Sequence, residues 1–190
     1  MARSKEFDEQ VVLDKAMTVF WAQGYEKTSI QDLVDEMQIH RRSLYDTFDD
    51  KHTLFLQTLE RYGTIIHQKV ENQLTEDMPI REKMTVLFEV AIYQNENQPR
   101  GCLLVNSATE LALIDEEVGK KIKELFTSAE TQIYNLLSVA QSKGELSTTK
   151  DIKALASYLH NALVGIRVLA KTTNDKSKLE SIIQLTLSNI

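Results

Sequence analysis

The chain has 190 residues, 42% of them hydrophobic and 26% charged, enough apolar content to bury a core in one domain or two small ones. Its single cysteine, Cys102, excludes an internal disulfide, and no run approaches the roughly 18 apolar residues that a membrane span needs. The net charge of −6 at pH 7 argues against strong non-specific affinity for nucleic acid, and the first 52 residues alone carry seven Lys/Arg against eleven Asp/Glu.

Only two prolines and six scattered glycines interrupt the chain, so helix is expected throughout and no glycine-rich phosphate loop can form. The first helix is predicted from Val12, Ala16, Val19 and Phe20 at helical spacing, widened by Leu13 and Met17, and it should stop at Gly24. Thr28-Ser29 offers an N-cap to a short second helix, with Gln31 as the partner of Thr28 in a capping box. Ile30, Leu33, Val34 and Met37 would face inward from it. A third short helix is expected from about His40 to Phe48, with Leu44 and Phe48 on its buried face.

Asp49-Asp50 should cap a longer fourth helix whose stripe is Phe55, Leu59, Tyr62, Ile66 and Val70. Pro79 suits the first turn of a fifth helix, with Met84, Leu87, Phe88 and Ala91 inward. Pro99-Arg100-Gly101 breaks the chain before a short sixth helix from Cys102 to Leu111. A long seventh helix should run from Asp115 to Gly144, its buried stripe including Ile122, Ile133, Leu136 and Ala140. Thr148 or Thr149 would cap an eighth helix to about Lys171, and a ninth would hold Leu179, Ile182, Ile183 and Leu187. No alternating strand pattern competes, so the fold class is all-α with about nine helices.

Two short helices joined by a tight turn cannot bury a core alone, and the first helix supplies the lid. In such a unit the second short helix lies in the major groove and its N-terminal residues meet base edges. Arg41 and Arg42 occupy those positions, where a guanidinium bridges guanine O6 and N7.

Residues 28–55 carry the resemblance that organises the rest. Thr28-Ser29-Ile30, Leu33, Ile39, Leu44-Tyr45, Phe48, Lys51 and Leu54, preceded by Phe20 and Gly24-Tyr25, resemble the TetR family of bacterial regulators. The resemblance implies a helix-turn-helix domain over residues 1–52 and a ligand-binding and dimerisation domain over 53–190. It implies phosphate contacts from Thr28, Tyr45 and Lys51, with base contacts from His40, Arg41, Arg42 and Ser43; Ser29 belongs to the same surface. The chain departs from the family pattern at the turn, where Gln38 replaces the usual glycine, at His40 in place of a Ser/Thr cap, and at Thr47 in place of an aromatic.

The same resemblance implies double-stranded DNA with a roughly palindromic sequence as partner, a homodimer through helices eight and nine, and an unknown small-molecule inducer among helices five to eight. Asn106, Glu110, Tyr158 and Asn161 are the candidate polar groups for that ligand. Cys102, after Arg100-Gly101 and at a helix start, is placed where a thiolate is favoured, and Gly-Cys-Leu resembles a subgroup that includes sensors of electrophiles and oxidants. The expected function is a repressor released from its operator by such an inducer. The rival readings are a helical protein-binding scaffold that no longer binds DNA, and an enzyme. Against the enzyme, His40, His52, His67 and His160 are dispersed, and neither a His-Glu-x-x-His metal motif nor a Gly-x-Ser-x-Gly turn occurs. No cofactor or metal is expected. The lack of an apolar run in the first eight residues, together with the single cysteine, predicts a cytoplasmic location.

Overall fold

Helix α1 (Glu9–Gln23) starts where the Asp8 carboxylate accepts hydrogen bonds from the Gln10 and Val11 amides, and it ends where Gly24 takes φ 85°. The computed structural model describes residues 7–92 and 98–190. Arg3 and Lys5, counted above in the N-terminal charge, lie outside the described residues, as does most of the segment inspected for a leader. Helix α2 (Ile30–Met37) is capped by Ser29, and the reciprocal capping-box partner is Asp32. The expectation of Thr28 with Gln31 is therefore one residue out of register. Thr28 is instead buried, and its hydroxyl donates to the Gly24 carbonyl at 2.6 Å.

Gln38 closes α2 in the left-handed region at φ 57°, and α3 (Arg41–Phe48) follows after His40, which makes no side-chain cap bond. The turn thus carries both features expected of its two unusual residues. Helix α4 (Lys51–Glu71) is capped by Asp50 on the Thr53 amide. Helix α5 (Ile80–Ile92) starts after Pro79, whose carbonyl accepts from the Lys83 amide. Helix α6 (Leu103–Leu111) has Cys102 as its N-cap residue.

Helix α7 (Glu116–Ser142) is capped by Asp115 on the Val118 amide, and α8 (Ile152–Thr172) by Asp151 on the Lys153 and Ala154 amides. Asp151 thus takes the place expected of Thr148 or Thr149, because an aspartate next to the first helical residue reaches the free N–H groups directly. On α7 the buried residue is Leu137, and Leu136, expected inside, is half-buried. Helix α9 (Lys176–Thr186) ends in a 3-10 turn, Leu187–Asn189. Among the described residues there is no strand, and no helix is long and apolar enough to cross a membrane.

The apolar side chains form two cores. The first joins α1, α2, α3 and the N-terminal half of α4 to Cys102, Leu103 and the start of α7. Phe20, Tyr25 and Phe55 interlock there, with Phe20–Phe55 edge to face at 5.0 Å between centroids and Tyr25–Phe55 tilted at 4.8 Å. The second core joins Val70, α5, the C-terminal half of α7, α8 and α9. The change from one core to the other falls within α4, between Tyr62 and Val70. A boundary at 52/53 would separate Phe55 and Leu59 from the core they complete.

Candidate nucleic-acid interface and regulatory cavity

Helix α3 has one sealed face and one open face. Leu44 and Phe48 are buried against α1, α2 and α4, while His40, Arg41, Arg42 and Tyr45 are exposed and Ser43 is half-buried. Helical spacing puts Arg42 on the side opposite Leu44 and Phe48 and Tyr45 on the flank, while Arg41 is exposed as the first residue of the helix. The Arg41 guanidinium lies 5.9 Å from the Tyr45 ring centroid, and Arg42 reaches Asp46 at 3.5 Å, an exposed pair one turn apart. Such a pair is weak in water and yields readily to a phosphate or base.

Ser29 is exposed at the N-terminus of α2, but its hydroxyl is engaged with the Asp32 carboxylate at 2.8 Å. That carboxyl is held below its ordinary range, first by the Ser29 amide and then by the Ser29 hydroxyl. Lys51 is half-buried with its Nζ 4.2 Å from the Tyr25 ring centroid. Thr28, expected at a phosphate, is only 1% exposed and holds the turn between α1 and α2.

The reading unit is braced from behind by three polar links. Arg61 of α4 grips Asp14 of α1 through Nε and Nη2 at 2.7 and 2.9 Å, a two-point pair that fixes the angle between the helices. His52 of α4 meets the Asp115 carboxylate at 2.8 Å. That carboxyl is held below its ordinary range, first by the Val118 amide, with His52 adding to the effect. Glu110 of α6 accepts from the Tyr25 and Glu26 amides at 3.1 and 3.0 Å.

Two connected cavities lie beyond. An open groove of about 960 Å³ runs along α4 and α7, lined mainly by polar side chains such as Glu71, Lys123 and Thr131. A more enclosed cavity of about 310 Å³ lies between α4, α7 and α8. It shares His67, Ser128 and Gln132 with the groove, and Tyr62 and Arg167 line it as well.

None of the five residues expected at a ligand site lines either cavity. Glu110 is taken up by Tyr25 and Glu26. Asn106 accepts from Lys171 Nζ at 3.1 Å. Tyr158 and Asn161 are exposed on the outer side of α8. Cys102 is buried against the Tyr62 hydroxyl rather than set on an accessible helix start. Sequence reasoning took polar residues from α6 and α8, which border the enclosed cavity through Leu104 and Arg167, but could not fix which way each faced. It missed Tyr62 as a polar lining group and Arg167 altogether; a lone arginine in the apolar run 154–170 was the available signal. Among the described residues no cluster of His, Cys, Asp and Glu could hold a metal ion.

Comparison with known proteins adds to this geometry. Residues 12–58 match the family described as bacterial regulatory proteins, tetR family. Residues 82–186 match the tetracyclin repressor-like C-terminal domain. The chain is 33% identical to the uncharacterized HTH-type transcriptional regulator YezE of Bacillus subtilis (strain 168) over 191 residues, covering 99% of this chain and 98% of that protein. It is 30% identical to the HTH-type transcriptional repressor ComR of Escherichia coli (strain K12) over 188 residues, covering 97% and 90%. Among solved structures, a cysteine mutant of the TetR family transcriptional regulator CifR complexed with 26-bp double-strand operator DNA is similar, with TM-score 0.85, 26% identity and 98% of each chain covered.

Proposed function

The chain belongs to the TetR family of bacterial regulatory proteins, and from that premise we propose that it is a DNA-binding transcriptional repressor that sits on its operator as a homodimer and leaves it when a small molecule binds. It is a regulator and not an enzyme. The observation that carries the reading is the pair Arg41 and Arg42, exposed at the first turn of a helix whose other face is sealed into a core. Their guanidiniums would read base edges in the major groove, with His40 and Ser43 beside them. Tyr45, Lys51 and Ser29 would face phosphates. Thr28 would serve this contact indirectly, by fixing the turn that precedes Ser29.

The homodimer would form through α8 and α9. Tyr158, Asn161, Gly165 and Val168 make one exposed stripe along α8, and Leu185 of α9 is 75% exposed. Two-fold pairing on these helices would set two copies of α3 in successive major grooves, about 34 Å apart, on a roughly palindromic operator. The inducer would occupy the enclosed cavity. Helix α4 belongs to both cores, so a change of packing at Tyr62 or Ile66 would be carried to Phe55 and the reading unit. Such a ligand drives release only by binding better to the conformation whose reading helices no longer match the operator spacing. Cys102 lies beneath Tyr62 at the head of α6, so covalent modification there would act on the same junction. Loss of electrophile-induced release in Cys102→Ser, with operator binding kept, is the result that supports this form of switch.

The test of the main reading is selection of bound duplexes from a random DNA library, with Arg41→Ala/Arg42→Ala as control. A palindromic motif that disappears in the control is the expected result. No enrichment at low salt by a folded protein would overturn it and favour a protein-binding scaffold.

A further inference from the structure

Arg167 is 8% exposed, lies on the inner side of α8 and lines the enclosed cavity. Its guanidinium carries a positive charge and five N–H donors in a planar fork. Among the described residues it forms no ion pair and donates no hydrogen bond. A guanidinium that faces a narrow cavity and has no acceptor from the protein is a ready partner for an anion there. The acidic residue that lines the cavity, Glu60, is exposed at the far rim and approaches Lys121 at 3.8 Å. His160, two turns away on the same face of α8, is no substitute. Its Nε2 is buried without a partner, and burial lowers its pKa, with Glu130 opposing and Arg167 adding.

The rest of the cavity sorts by polarity. Tyr62 also lines it, with its hydroxyl turned to Cys102 and the Leu103 backbone. Leu87, Leu104, Leu125 and Ile133 supply apolar walls. The mouth, at His67 and Gln132, opens into the groove along α4 and α7. The volume of about 310 Å³ is at the small end of ligand cavities.

We propose that this cavity binds a small organic monoanion, a carboxylate on a compact apolar skeleton, with the carboxylate paired to Arg167 and the skeleton against the leucine-rich wall. The planar fork of the guanidinium matches a carboxylate at two points. Arg167 is the one Lys or Arg side chain among the lining residues, so a single negative charge is matched there. The proposal names the chemistry of the inducer and, for its regulatory consequence, rests on the repressor reading above; the binding itself does not.

The test uses benzoate and octanoate, with benzamide and octanamide as neutral counterparts. Binding to the full-length protein is measured by calorimetry and by thermal shift, and operator release by fluorescence anisotropy. A carboxylate should bind and its amide should bind on the order of 10- to 100-fold more weakly. Arg167→Met should lose that preference. Ala129→Leu, which fills the cavity without touching the arginine, should weaken carboxylate and amide together, and it keeps the test valid if the Arg167 variant fails to fold. Equal binding of carboxylate and amide to the wild type, or a preference that survives Arg167→Met, overturns the proposal. Carboxylate binding without operator release supports the site and refutes its regulatory use. Operator binding by a protein that takes up neither carboxylate overturns the site and leaves the repressor reading in place.

Discussion

The Glu110 carboxylate of α6 caps the chain at Tyr25, accepting the Tyr25 amide at 3.1 Å and the Glu26 amide at 3.0 Å across 85 and 84 residues of sequence. Gly24 is part of the same contact, since a Cβ there would stand 2.8 Å from Glu110 Oε2. Glu110→Ala removes both acceptors, and hydrogen bonds to a charged group contribute more than neutral ones, so unfolding free energy should fall by about 1–3 kcal/mol in urea titration. Operator affinity should change little while ligand-driven release weakens, because α6 also carries Leu104 at the cavity. Full release in Glu110→Ala would mean that α4 alone carries the signal.

Much of the site was legible in sequence because its pattern is local. Leu44 and Phe48 are four apart, the exposed arginines precede them and Gly24 ends the first helix, so the outline of the reading unit followed from spacing, while Gln38 was marked as the turn residue only by the resemblance. The slips were of one to three residues where neighbouring candidates compete: Asp32 over Gln31, Asp151 over Thr148 or Thr149, Leu137 over Leu136. Each is settled by which residue lies nearest the free N–H groups or the core, and neighbours in sequence differ little by that measure. The regulatory half was less legible for another reason. The role of Glu110 depends on a contact 85 residues away, and the burial of Arg167 depends on the packing of α8 against α5, α6 and α7. Periodicity carries no signal for either.

Gln38 holds φ 57° at the α2–α3 turn and accepts a bond from Lys15 Nζ at 3.3 Å. A β-branched residue is strained in that region beyond what glutamine is. Gln38→Val should therefore lower unfolding free energy by about 1–2 kcal/mol. Gln38→Gly removes the strain but frees the unfolded chain and loses the Lys15 bond, so its net change should stay within about 1 kcal/mol of zero. Urea titration of the three proteins side by side checks the order, valine below glutamine and glycine.

His160 gives a pH dependence of definite sign. Burial, with Arg167 adding to it and Glu130 opposing, lowers its pKa from the ordinary 6.5. The unfolded chain therefore binds the proton first, and the stability held by the neutral ring is present above about pH 6.5 and is lost as pH falls through the folded-state value. The carboxyls of Asp32, Asp50 and Asp115, each held low first by a backbone amide at a helix start, act in a lower window, below their ordinary 3.8. Melting temperature measured from pH 8 to pH 5 should decline, and His160→Leu should flatten the decline. An equal slope in both proteins would place the titrating group elsewhere.

The outer face of α8 and α9 yields a separate prediction about assembly. Val168 and Leu185 are 48% and 75% exposed on the protomer, while the inner sides of both helices are already packed. In a two-fold dimer each substitution appears twice, so Val168→Asp/Leu185→Asp would set four carboxylates in one apolar contact. Light scattering after size exclusion should then give a monomer at micromolar concentration, with helix content and melting of the protomer retained because neither side chain belongs to its core. Operator affinity should fall far more than stability does. A single reading helix engages one half-site, and the second contact is no longer held at the right spacing. If the variant stays dimeric, the contact lies on another face. The spacing of the two reading helices would then have to be derived from that face instead of from α8.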